Sequence, residues 1–167
     1  SRIEGISLVR RGPIGMEPTL RGFSAGQVNL VIDGMKMFGA CTDRMDPISI
    51  YVEPINLQSL DIGNGGDGMA MGSAIGGSMN LKLANAKTNA EQPLSLLFSS
   101  GYYSAAQAYQ NALAIHYSKE RWAIRVSGTY RNAQDYTDGA NLRVAFSQYE
   151  KFNVSTSATY TLRPNSY

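Results

Sequence analysis

Cysteine and histidine are nearly absent: Cys41 and His116 are the only residues of their types among 167. One cysteine excludes an internal disulfide framework and leaves a free thiol. A lone histidine supplies one ligand where a zinc site needs several. Charge is sparse too, at 17% of residues, against about 25% in ordinary globular domains. The net charge of +2 removes the electrostatic case for nucleic acid as a partner. No apolar run reaches about 18 residues, so no transmembrane helix is expected. A membrane-crossing β-strand gives a far weaker signal and stays open. No Ser/His/Asp arrangement, HExxH pair or complete phosphate loop occurs, which leaves an enzyme the least supported class. The chain starts at Ser1 without an initiator Met or a signal peptide, and is expected to be a fragment or a processed product.

What is present is unevenly spread. All seven methionines precede Lys87, while nine of the ten tyrosines and the single Trp follow it. Two differently built regions are the simplest explanation. The polar segment Ala84–Pro93 reads as a linker between residues 1–83 and residues 94–167.

In the first region Ile6–Arg10 alternates and predicts a strand, closed by turn residues Gly12-Pro13-Ile14-Gly15. Thr19–Phe23 is a short extended piece. Gln27–Asp33 is the most apolar strand and is expected to be central and buried on both faces. Pro47–Leu60 has room for one or two helical turns, with Pro54 in a first turn and Ile55, Leu57 and Leu60 facing inward. Leu60–Ile62 and Ser78–Leu83 are further strands. The glycines between them lack the Walker lysine and a following helix, so tight turns and close packing are the expected role, not phosphate binding. Asp61, Asn64 and Asp67 lack the register and terminal Glu of a calcium loop.

The stretch from Met35 to Pro47 stands apart. It holds Cys41 and three methionines, so four sulfurs fall within eleven residues. Thiolate and thioether are soft donors, and soft donors select Cu(I) over hard cations. The competing reading is packing, with Cys41 as a small buried hydrophobe. Met35 and Met37, next to the strand, are assigned to packing. Cys41 and Met45 are four apart, and in a helical turn their Cβ atoms would lie about 6 Å apart on one face. They are the candidate metal ligands. Asp43, Asp46 and Glu53 have no visible partner for acid–base work and read as surface groups.

The second region alternates more sharply. Trp122, Ile124, Val126 and Tyr130 share one face of a strand; Ala123, Arg125, Ser127, Thr129 and Arg131 share the other. The same face of three strands begins and ends with aromatics eight positions apart, in Tyr109/Tyr117, Trp122/Tyr130 and Phe152/Tyr160. Eight strand steps span roughly 26 Å. With a tilt of about 40° that is roughly 20 Å, near the lipid band of an outer-membrane barrel and its two aromatic girdles. Four antiparallel strands are therefore expected between about Leu94 and Leu162, with those aromatics facing outward. Ser118–Arg121 and Arg163–Ser166 read as tight turns, and Asn132–Tyr149 as a long polar loop. His116 is expected to line a polar lumen. Four strands cannot close a barrel, whose smallest members have eight, so further sequence is expected after Tyr167.

Several segments together resemble a known family. They are Leu20-Arg21-Gly22-Phe23, Val31-Ile32-Asp33-Gly34, Tyr51-Val52-Glu53-Pro54 and the run from Gly72 to Leu81. Their order and spacing along residues 5–83 are similar to the plug domain of TonB-dependent outer-membrane receptors. The resemblance implies an α+β plug domain followed by antiparallel transmembrane β-barrel strands, as a fragment of a 22-stranded barrel whose lumen the plug fills. It implies outer-membrane lipid around the barrel, the TonB complex of the inner membrane as partner, and active uptake of a metal or metal-chelate cargo. Cys41-Thr42-Asp43-Arg44-Met45 further resembles the Cys-x-x-x-Met plug motif of the copper-binding subgroup. In that subgroup a His-x-Met pair from the barrel completes the site, and none occurs here. A TonB box is also absent, and the family's glycine-proline reads Gly65-Gly66. Copper as bound cargo is thus the first expectation. The alternatives are a siderophore-type receptor with Cys41 and Met45 structural, or a soluble or secreted β-rich binding or adhesion module.

Overall fold

The computed structural model describes residues 4–24, 26–41, 45–63, 71–88 and 91–162. The chain divides into two compact units, Ser1–Ala84 and Asn85–Tyr167.

In the first unit β1 (Ile6–Arg10) pairs antiparallel with β2 (Met16–Leu20). A four-stranded sheet follows, built from β3 (Asn29–Ile32), β4 (Met35–Lys36), β5 (Leu57–Gly63) and β6 (Ser78–Leu83) in the order β4-β3-β6-β5. β3 and β6 are parallel. Leu20, Val28 and Met79 form the core, with Ile6, Phe23, Leu30, Leu60 and Ile62 packed around them. Asp33 and Gly34 take φ of 48° and 78°, the left-handed pair that a two-residue hairpin demands and that Asp-Gly supplies.

β1 and β6 have the expected bounds. The apolar strand is internal to its sheet, as expected, but shorter, since Gln27 donates its amide to Ser24 and Asp33 belongs to the turn. The helical expectation over Pro47–Leu60 needs correction. Ile48–Tyr51 and Pro54–Asn56 are 3₁₀ turns, and Pro54 opens the second. From Leu57 the chain is already strand, because Leu57, Leu60 and Ile62 pair along β6. The helical share of this unit is confined to such turns among the described residues. Gly76 shows the packing role foreseen for the glycines: a Cβ there would lie 2.6 Å from Phe23 Cβ and 2.8 Å from the Gln27 carbonyl. Asn64 and Asp67 lie outside the described residues.

The second unit is an antiparallel meander of β7 (Leu94–Tyr103), β8 (Ala108–Ser118), β9 (Trp122–Ala133) and β10 (Tyr149–Tyr160). Its two faces differ as alternation predicts. Ala112, Ala114, Ala123, Ser127 and Thr129 are buried on one face. Leu113, Ile115, Trp122, Ile124, Val126, Phe152 and Val154 are exposed on the other. Two polar residues on the apolar face answer each other: Ser100 and Asn111 are cross-strand partners, and the Ser100 hydroxyl donates to Asn111 Oδ1 at 2.8 Å.

Residues 86–88 run along the small-residue face and are fastened to it. The Ala86 amide donates to Ser157 Oγ (2.9 Å), and its carbonyl accepts from Thr159 Oγ1 (2.7 Å). The Lys87 amide donates to His116 Nε2 (3.2 Å), and the Thr88 and Thr161 hydroxyls meet at 3.1 Å. The β8–β9 turn is tight, closed by the Lys119 amide on the Trp122 carbonyl. The loop between β9 and β10 is long. The β7–β8 connection at that same end is only a 3₁₀ turn, Ser104–Ala106, and a left-handed Gln107. Arg163–Ser166 lie outside the described residues.

Candidate functional site

The loop after β4 is organised by one carboxylate. Asp46 Oδ2 accepts from the Ala40 amide (2.6 Å) and the Tyr51 hydroxyl (2.9 Å), and Oδ1 accepts from the Cys41 amide (3.0 Å). The Ala40 amide above all, then Cys41 and Tyr51, holds the Asp46 carboxyl below the usual carboxylate range. The same bond holds the Tyr51 phenol above its ordinary value. Two glycines make room for the closure. A Cβ on Gly39 would stand 2.8 Å from the Asp46 carbonyl, and one on Gly15 would stand 2.9 Å from the Met45 carbonyl. An Asp just before a Pro accepting nearby amides is turn chemistry that sequence can carry, and it is the signal that a surface assignment of Asp46 overlooks.

Cys41 and Met45 stand at the two ends of the segment that Asp46 closes. Cys41 is half-buried and Met45 is 60% exposed. The helical turn expected between the two sulfurs falls on Thr42–Arg44, outside the described residues, as does Asp43. The packing role expected of Met35 and Met37 does not hold, since they are 61% and 39% exposed. β4 is only two residues long and lies at the sheet edge, so no further strand flanks it among the described residues. Glu53 is not a surface group either, being 1% exposed. No group of three His, Cys, Asp or Glu side chains comes together among the described residues. His116 sits in the second unit, with Nε2 engaged by a backbone amide.

The second site-like feature is the apolar face of the meander. The register sorts its aromatics into two bands. Phe152 lies opposite Tyr130, and Tyr102 opposite Tyr109, at the long-loop end. Tyr160 lies opposite Trp122 at the short-turn end, beside Tyr117. Ring centroids are 4.8 Å apart for Tyr102/Tyr109 and 5.3 Å for Tyr117/Trp122. Between the bands lie Leu96, Phe98, Leu113, Ile115, Ile124, Val126 and Val154, all exposed. A sheet that leaves this much apolar surface uncovered between two aromatic bands has the pattern of a strand set facing hydrocarbon.

The family model described as TonB-dependent Receptor Plug Domain matches residues 1–78. No curated protein matches the chain. Among solved structures, one titled "Copper transporter OprC" superposes with a TM-score of 0.79 at 25% identity, over 95% of this chain and 25% of its own. The siderophore receptor PirA from Pseudomonas aeruginosa superposes with a TM-score of 0.59 at 14% identity, over 98% of this chain and 34% of its own. At that identity the second likeness speaks for the fold alone. The chain spans about a quarter of the copper transporter it matches. The plug match over residues 1–78 and the superposition of 95% of the chain on OprC make this chain similar to the TonB-dependent outer-membrane receptors, with a plug domain followed by antiparallel barrel-type strands.

Proposed function

We propose that this chain is the plug (residues 1–83), a linker (84–93) and the first barrel strands (94–167) of a transporter that takes up copper across the outer membrane. Cys41 and Met45 supply one thiolate and one thioether to the ion, and the inner-membrane TonB complex drives the uptake. The observation that carries the copper reading is the Asp46 closure. It anchors the Cys41 amide and directly follows Met45, whose carbonyl stands close to Gly15, so both candidate ligands flank one hydrogen-bonded carboxylate. Soft donors on one loop fit a soft ion, and zinc would call for more Cys or His than the loop holds. The likeness to a copper transporter supports the same reading.

Copper content decides it. Full-length receptor is purified in copper as wild type, Cys41→Ala and Met45→Ala, and bound copper is measured by mass spectrometry. Loss of copper in both variants is expected. Equal copper in all three ends the reading and leaves a siderophore-type cargo with a structural Cys41.

A further inference from the structure

At the short-turn end of the meander the apolar face ends in a pocket of about 700 Å³, lined by Pro93, Tyr117, Ser118, Lys119, Glu120, Arg121 and Trp122. Its frame is fixed by backbone. The Ser118 amide donates to the Pro93 carbonyl (2.7 Å), Lys119 to Trp122 (2.8 Å), and Thr161 to Arg121 (2.8 Å). The Tyr117 and Trp122 rings meet at one wall. Lys119 and Arg121 are both exposed at the rim, flanking Glu120. Leu94, Leu96, Ile115 and Ile124 continue from the aromatic wall as an uncovered apolar track.

These parts ask for one kind of ligand. Two cations at the rim take an anionic group, and the track takes a hydrocarbon chain. The aromatic pair sits where amphipathic rings mark the boundary between headgroups and acyl chains. Short turns in such barrels lie on the periplasmic side. We propose that this pocket is a headgroup site for an anionic phospholipid of the periplasmic leaflet, with phosphate at Lys119 and Arg121 and an acyl chain along Leu94, Leu96 and Ile124. The site rests on the outer-membrane placement of the chain and not on any cargo. Glu120 sets a limit on the attraction, which gives the proposal a sign that a purely structural turn would lack.

The test uses the full-length receptor in vesicles mixed from phosphatidylglycerol and phosphatidylethanolamine. Lipids retained after mild detergent extraction are identified by native mass spectrometry. Wild type is expected to retain phosphatidylglycerol selectively. Lys119→Gln and Arg121→Gln are each expected to weaken that retention by about fivefold, the usual effect of one basic side chain at an anionic surface. Glu120→Gln is expected to strengthen it. Equal retention of both lipids, no change in the three variants, or displacement of the lipid by inorganic phosphate alone would each overturn the site. Failure of the protein to insert into vesicles at all would overturn the membrane placement as well, so the two failures are told apart.

Discussion

Asp46 is the residue on which the loop around Cys41 depends. Its carboxyl is held below the ordinary range by the Ala40 amide first and by Cys41 and Tyr51 next. A depressed folded-state value means that the closure is fully present above the ordinary carboxylate value. It is lost as pH falls through the depressed one. The expected outcome is loss of protection of the Ala40 and Cys41 amides, relative to their intrinsic exchange rates, as pH falls below the ordinary carboxylate value, read by mass spectrometry on the full receptor. Asp46→Ala should show the same loss of protection already at neutral pH. Gly39→Ala should do the same by a different route, because its Cβ would stand 2.8 Å from a backbone carbonyl. Backbone cannot step aside as a flexible side chain can, and overpacking of this kind typically costs about 1–3 kcal/mol. Much of this site was hidden in the sequence. The sulfurs announce themselves by type. The carboxylate that holds their loop looks like any surface Asp until its three donors are placed around it. Met35 and Met37 misled for a plain reason: an apolar residue beside a buried strand is usually buried, and here the flanking strand is two residues long at an edge.

At the scale of elements the meander was the most legible part, because period-two alternation states which face each side chain takes. Asn111 broke the pattern in the sequence, and only the register shows why, since its partner is Ser100. The lipid-facing assignment predicts a contrast. Val126→Arg, midway between Trp122 and Tyr130, should lower stability by about 2–4 kcal/mol in urea titrations of vesicle-folded receptor. Ser155→Arg, on the opposite face of the neighbouring strand, should cost less. The β9–β10 loop holds a second carboxylate centre. Asp135 accepts from Arg143 Nε (2.8 Å) and from the Ser147 and Gln148 amides (2.8 and 3.0 Å). Burial pulls its carboxyl upward, but Arg143 and the two amides outweigh this and leave it below the ordinary range. Loop order is therefore present at neutral pH and lost on acidification. Asp135→Ala should bring faster tryptic cleavage at Arg143 at neutral pH. In the plug, Gly76→Ala should destabilise by about 1–3 kcal/mol, because the added methyl meets Phe23, Val28 and a backbone carbonyl.

On the scale of the whole molecule, the fold class followed from a conjunction: a glycine-punctuated β-rich unit and a meander with banded aromatics. Neither alone would have distinguished a receptor from a soluble β-protein. The cargo was less legible, because two sulfur side chains in one loop name a class of donor and not the molecule carried. If uptake is TonB-driven, cells lacking TonB should bind copper at the receptor but fail to accumulate it, as radiocopper uptake would show. The fastening of residues 86–88 matters in that setting. Four hydrogen bonds, to Ser157, Thr159, His116 and Thr161, hold a three-residue stretch across two strands. A load reaching residues 86–88 along the chain would be shared among these four bonds and passed on to β8 and β10. The strap thus ties together two strands that do not pair with each other, β8 and β10, and holds the start of the second unit to its own sheet independently of the strand ladder.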